Sequence, residues 1–207
     1  MLPNLGKVAS LIGDPVRSRM LFHLLDGHEL SASELASRSA ASPQAASAHL
    51  AKLVDGGLLF ARTDGRRRYF RLASAQVAHA IEALASIAPV APINSLTQHT
   101  TMQRLREARS CYDHLAGRLG VHVTEALGRH RIIRTHEDEY RVTASGEKFF
   151  ADLGIDLDAV RAQRRHFART CLDWTERRSH LAGALGASLL DTFVENRWVL
   201  RNARDRA

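Results

Sequence analysis

The stretch Ser42-Pro43-Gln44-Ala45-Ala46-Ser47-Ala48-His49-Leu50-Ala51-Lys52-Leu53-Val54-Asp55-Gly56-Gly57 decides how the N-terminal half is read. Ser42 suits a helix N-cap, and Pro43 suits the first helical position, where its missing N–H removes no intrahelical bond. Ala46, Leu50 and Leu53 fall at i, i+4 and i+7, so one face packs inward. The other face carries Gln44, Ala45, Ser47, Ala48 and Lys52, small or polar groups that let a helix sit deep in a major groove and reach base edges or phosphates. Gly56 and Gly57 end the helix, one of them in the left-handed conformation.

Working outward, Ser33 followed by Leu35 and Ala36 marks a preceding short helix, with Ser33 as its expected N-cap and Glu34 in its first turn, where the helix dipole favours a carboxylate. Ala40-Ala41-Ser42-Pro43 breaks that helix from the next. Downstream, Leu58 to Arg62, a Thr63-Asp64-Gly65 turn and Arg66 to Phe70 form a hairpin pattern. Arg62, Arg66, Arg67 and Arg68 line its tip, placed for backbone phosphates or a minor groove. Two short helices, a tight connection and a basic hairpin, in that order, predict a winged helix-turn-helix with double-stranded DNA as partner. A basic hairpin on an unrelated helical domain leaves the coincidence of order and charge unexplained.

Ala45 to Leu53, then Gly57-Leu58-Leu59 and Gly65-Arg66-Arg67-Arg68-Tyr69, resemble the ArsR/SmtB family of bacterial repressors, with its Ser-x-His-Leu-x-x-Leu recognition helix and Gly-Arg-x-x-Tyr wing. Ile12-Gly13-Asp14-Pro15-Val16-Arg17-Ser18-Arg19-Met20-Leu21 is similar to that family's helix-opening pattern, so the resemblance spans roughly residues 5–88. It implies that Ser47 and His49 lie on the DNA-reading helix and that helices near residues 3–12 and 74–87 build a homodimer. For His49 a second role stays open, a bridge to backbone or phosphate only. The family's familiar metal sites do not carry over. Glu34-Leu35-Ala36-Ser37-Arg38 holds no thiol, and Ser74 to Glu82 offers only His79 and Glu82.

Composition agrees with an anionic partner. The 207 residues carry 29 Lys and Arg against 22 Asp and Glu, a formal charge of +7. Residues 1–90 hold ten basic against seven acidic residues and residues 91–207 nineteen against fifteen, so placement on the wing, not total charge, argues for DNA. No run of eighteen apolar residues exists, and the N-terminus lacks a basic region followed by a continuous apolar stretch. No membrane partner and a cytoplasmic location are therefore expected, with both cysteines reduced.

Ala88 to Thr97, with two prolines and small residues, reads as a linker. The expected organisation is a DNA-binding and dimerisation domain at 1–88, a linker at 89–100 and a C-terminal effector or dimerisation domain at 101–207. The fold class is mainly α with small β hairpins. In the second half, spacing predicts helices at about 101–118 and 121–128, a hairpin over Arg131–Thr135 and Glu139–Val142, a capped helix start at Thr143, and helices over Val160–Leu172 and Leu181–Arg201. That outline is similar to a second winged-helix unit.

An internal echo marks this half. Leu-Ala-Gly-x-Leu-Gly occurs at Leu115–Gly120 and again at Leu181–Gly186, each time directly after a histidine, His114 or His180, and downstream of a Cys-x-Asp at Cys111-Tyr112-Asp113 or Cys171-Leu172-Asp173. The chain's two cysteines thus share a local context. Three readings are open. Cys111, His114, Cys171 and His180 converge on a thiophilic metal or metalloid, with Cys111 and His114 at i, i+3 on one helical face. Alternatively the cysteines form a reversible disulfide. In the third reading they are buried core residues and the Leu-Ala-Gly repeats are close helix–helix packing. The aromatic residues Tyr112, Phe149, Phe150, Phe167, Trp174, Phe193 and Trp198 could line a pocket for a small organic effector, though core packing explains them as well. An enzymatic second half would draw on Asp113, Glu139, Asp173 and Glu176, or on Cys171 with His180. No glycine-rich phosphate loop, His-Glu-x-x-His helix or Gly-x-Ser-x-Gly elbow supports it, and no catalytic residue is assigned.

Overall fold

The structure is a computed structural model that describes residues 2–89, 95–201 and 207. The chain divides into two compact units, Met1–Glu82 and Ala83–Ala207. Positions 90–94 of the expected linker lie outside the described residues. Among the described residues no helix is long and apolar enough to cross a membrane.

The first unit runs α1 (Leu5–Ile12), α2 (Pro15–His23), β1 (Leu30–Ser31), α3 (Ala32–Arg38), α4 (Pro43–Asp55), β2 (Leu59–Asp64) and β3 (Arg67–Leu72), with α5 (Ala75–Ile87) crossing the boundary. Asp14 caps α2 by accepting from the Val16 and Arg17 amides at 3.0 and 2.9 Å, ahead of Pro15 at the first helical position. Ser31, not the expected Ser33, caps α3. Its hydroxyl accepts from the Glu34 amide while the Glu34 carboxylate accepts from the Ser31 amide, a reciprocal capping box that leaves Ser33 exposed in the first turn. Ala40, at φ 51°, turns the chain into α4, and Gly57, at φ +73°, terminates it. Met20, Leu21, Leu24, Leu25, Leu35, Leu50, Leu53 and Leu72 are fully buried and join α2, α3 and α4 to the sheet. The wing is antiparallel in the order β1-β3-β2; its turn centres on Gly65 and Arg66, one residue later than the spacing suggests, with Asp64 opposite Arg67.

The second unit comprises α6 (Leu96–Glu107), β4 (Arg109–Cys111), β5 (His114–Ala116), α7 (Gly117–Arg129), β6 (Ile133–His136), β7 (Glu139–Val142), α8 (Ala144–Asp152), α9 (Leu157–Arg161), β8 (Arg169–Leu172), β9 (Ser179–Ala182) and α10 (Gly183–Glu195). The β6–β7 hairpin and the Thr143 cap of α8 form as their sequence predicts. The expected helix at 101–118 does not. α6 ends at Glu107, and a two-residue turn with Tyr112 at φ 61° folds the next residues into a β hairpin. Likewise, of the helix expected over Val160–Leu172, only Val160 and Arg161 are helical, at the end of α9; Arg169–Leu172 is β8, and 179–182 is a strand ahead of α10. Apolar spacings of three and four are ambiguous in segments this short, and burial on the second unit's core settles them as strands.

β4-β5-α7 and β8-β9-α10 are two copies of one hairpin–helix unit. α7 packs on β9 and α10 packs on β5, so each copy completes the other. The repeated Leu-Ala-Gly is therefore a strand-to-helix turn, not helix–helix packing. Gly117 and Gly183 sit at φ +74° and +87°, and a Cβ at either would lie 2.7 Å from a backbone carbonyl oxygen, of Arg106 or His166. β6, β7, β8 and β9 form one antiparallel sheet in that order. Leu127, Ile133, Phe150, Leu181, Leu185 and Leu189 are central to its core, and Phe167 and Phe193 pack against it, so these aromatics serve packing.

Candidate functional site

Burial of Ala46, Leu50 and Leu53 on one side of α4 turns Gln44, Ser47, Ala48 and Lys52 to solvent, with Ala45 half-buried at the rim. Ser42 is spent on the cap, its hydroxyl accepting from the Ala45 amide at 3.2 Å. Nδ1 of His49 lies 3.7 Å from the Asp14 carboxylate and 3.4 Å from the Arg17 guanidinium, which ties α4 to the start of α2. Its ring thus has two side-chain partners within the protein, neither of them backbone or phosphate.

On the wing, Arg66, Arg67 and Arg68 are exposed, with Arg68 stacked over Phe70 at 5.3 Å. Arg62 differs. It donates to Glu29 at 2.8 Å and to Asp64 at 3.2 Å and stacks on Tyr69, so its charge is partly committed to holding the wing.

The second constellation lies in the second unit. The hairpin register places Cys111 directly opposite His114 on β4–β5, and Cys171 directly opposite His180 on β8–β9. The two cross-strand pairs face each other. One ligand atom from each of the four residues lies within 4.8 Å of all the others. The sulfurs are 3.8 Å apart and not joined in a disulfide, while the two Nε2 atoms stand 3.1 Å apart. The four residues expected from the echo thus come together, but as strand partners across two hairpins, not at i, i+3 on a helix.

Carboxylates back both imidazoles. Nδ1 of His114 is 3.2 Å from Asp113, whose other oxygen accepts from Arg165 at 2.6 Å. Nδ1 of His180 is buried without a hydrogen bond, 3.6 Å from Asp173. Burial works against the Asp113 carboxylate, but His114 and Arg165 hold it at about 2. Hydrogen bonding with Cys111 and with the two imidazoles holds the Cys171 thiol well below the usual thiol range, against its burial. Burial depresses His180, whereas for His114 the Asp113 and Cys171 partners outweigh burial and its pKa rises.

Sequence reading misses Arg109. Its side chain is fully buried, donates to Asp173 at 2.9 Å and stacks on Trp174 at 4.6 Å. Asp173 also accepts from the Gly117 amide at 2.7 Å, capping α7, and from Thr175 and Glu176. Three of the four carboxylates considered for catalysis are engaged in structure, Asp113 and Asp173 as above and Glu176 with Arg106 at 2.8 Å, while Glu139 is exposed with His166 3.9 Å away.

This buried three-helix frame with an exposed polar helix face and a basic three-stranded wing is a winged helix-turn-helix. Residues 14–68 match the profile described as the MarR family. The chain belongs to the helix-turn-helix transcriptional regulators: it is 44% identical over 207 residues, all of this chain and 92% of the relative, to the uncharacterized HTH-type transcriptional regulator YdfF of Bacillus subtilis. It is a DNA-binding transcriptional regulator. Among solved structures it is similar to reduced HlyU from Vibrio cholerae, at 32% identity over 42% of this chain and 90% of that one with a TM-score of 0.38. It is also similar to NolR from Sinorhizobium fredii, at 29% identity over 42% of this chain and 86% of that one, again with a TM-score of 0.38.

Proposed function

We propose that the protein is a homodimeric repressor of the ArsR type, released from its operator by an effector sensed through the second unit. The observation that carries the reading is the division of α4: Ala46, Leu50 and Leu53 are buried while Gln44, Ser47 and Lys52 are exposed, and the arginine-rich hairpin follows directly. Two such helices enter successive major grooves about one helical turn apart, and each wing grips flanking phosphates. Support for the dimer comes from α1, which buries no residue and exposes Leu5, and from Leu84 and Ile87 exposed on α5. Apolar surface of this kind marks an association face when it gathers into a patch.

Gln44→Ala and Ser47→Ala test the reading. Each is expected to cost about 1–3 kcal/mol of discrimination between operator and random duplex, with a smaller loss of non-specific affinity. Equal losses on both duplexes, in a competition binding assay, would remove α4 as the base-reading element.

A further inference from the structure

We propose that Cys111, His114, Cys171 and His180 bind one zinc ion in a closed tetrahedral site that clasps the β4–β5 hairpin to the β8–β9 hairpin. The site does not rest on the repressor reading, because metal binding is measured without DNA. Two sulfurs each about 2.3 Å from a zinc ion at the tetrahedral angle stand about 3.8 Å apart, and two imidazole nitrogens at about 2.0–2.1 Å stand about 3.3–3.4 Å apart. The observed edges are 3.8 Å between the sulfurs and 3.1 Å between the Nε2 atoms. The widest separation in the set, at most 4.8 Å, needs to close by about one ångström.

The convergence of four donor atoms suits an ion better than it suits hydrogen bonds alone. Two Nε2 atoms aimed at each other at 3.1 Å in a buried position share at most one proton between them, and both thiols converge on the same point. A divalent ion accepts all four lone pairs at once. With two thiolates it is also electroneutral, which a buried site requires; the adjacent charges are already paired, Asp113 with Arg165 and Asp173 with Arg109. Asp113 sits on the outer nitrogen of His114, and Asp173 lies 3.6 Å from that of His180, the arrangement that orients metal-bound imidazoles. Cys111, His114 and His180 are buried while Cys171 is half-buried, which leaves an entry edge.

Donor number selects the metal. Arsenite takes three thiolates, and the chain holds two cysteines. Copper(I) bound by two thiolates would leave both imidazoles idle. Two sulfurs and two nitrogens on a tetrahedron fit zinc, and four protein ligands leave no open position, so the site is structural or regulatory and not catalytic. It also accounts for the internal repeat: each hairpin–helix copy contributes one thiol and one imidazole, and a single ion ties the copies together.

The full-length protein, reduced and stripped by a chelator, is titrated with Zn2+ against a chromophoric competitor and separately with Co2+. One equivalent per chain is expected, with the visible bands of tetrahedral cobalt and a thiolate-to-cobalt charge-transfer band. Cys111→Ser and Cys171→Ser are each expected to abolish that spectrum, and Asp113→Asn to keep one equivalent with affinity about 10–100-fold weaker, within the range for loss of an outer partner. Because a buried cysteine variant can fail to fold, the wild-type chain supplies a second readout: zinc should protect both thiols from a thiol reagent, and the chelator should restore their reactivity. Failure of the reduced wild-type chain to take up either metal, an octahedral cobalt spectrum, uptake unchanged in Cys171→Ser, or a Cys111–Cys171 disulfide that forms equally fast with and without zinc would each overturn the proposal.

Discussion

Asp173→Ala is expected to destabilise the second unit by about 3–5 kcal/mol, a large share of the stability of a domain of this size. Both members of the Asp173–Arg109 pair have fully buried side chains, so the pair is not a screened surface contact. Removing the carboxylate strands the Arg109 guanidinium against Trp174 with no counter-charge and deletes the acceptor that caps α7 at the Gly117 amide. It also frees the Thr175 and Glu176 amides. Replacing both partners together, with apolar groups of similar volume, should cost less than either single change, because no uncompensated charge then stays buried. The chain's two tryptophans, Trp174 and Trp198, lie in the second unit, so urea unfolding followed by tryptophan fluorescence reads that unit alone. A midpoint unchanged in Asp173→Ala would show that the pair is not what holds β4 and β8 in place.

Replacing Arg66, Arg67 and Arg68 together by Ala is expected to weaken binding to every duplex alike. The slope of log affinity against log salt should fall by about 0.9 for each phosphate that is no longer neutralised, or close to three per wing. The effect is large because counterion release supplies most of the sequence-independent affinity. Arg62 is the instructive contrast. Its guanidinium is already held by Glu29 and Asp64, so Arg62→Ala should loosen the wing and lower stability slightly while moving the salt slope less. An unchanged slope in the triple variant would take the wing out of the interface.

The first unit is legible in the sequence because its signals are local. Ser42-Pro43 and Gly56-Gly57 bound α4, and Gly65 turns the hairpin, so short-range chemistry alone sets each boundary. Even the α3 cap, expected at Ser33, has a local signal: Ser31-Ala32-Ser33-Glu34 is a capping-box spacing, and Ser31 satisfies it where Ser33 does not. The second unit is less legible because its hairpins are stabilised from far along the chain. Arg109 is held by Asp173, 64 residues away, and a single arginine in sequence gives no sign that it is buried. Leu105, Ala108, Cys111 and Leu115 keep helical spacing, yet Tyr112 adopts a left-handed conformation and the segment becomes a hairpin. The thiol and imidazole set is legible for a different reason: the internal echo survives whatever secondary structure carries it. Only the local geometry that the spacing implies, one helical face, is replaced by tertiary packing.

A footprint of the full-length protein on duplexes selected from a random pool is the decisive experiment. A dimeric winged helix-turn-helix predicts an inverted repeat whose two half-sites are centred about 10–10.5 base pairs apart or a multiple of it, with protected phosphates flanking each half-site. Gln44→Ala should change the selected bases, and the triple wing variant should remove only the flanking protection. Selection of no common sequence, or a single half-site bound by a monomer, would contradict a dimeric DNA-reading regulator.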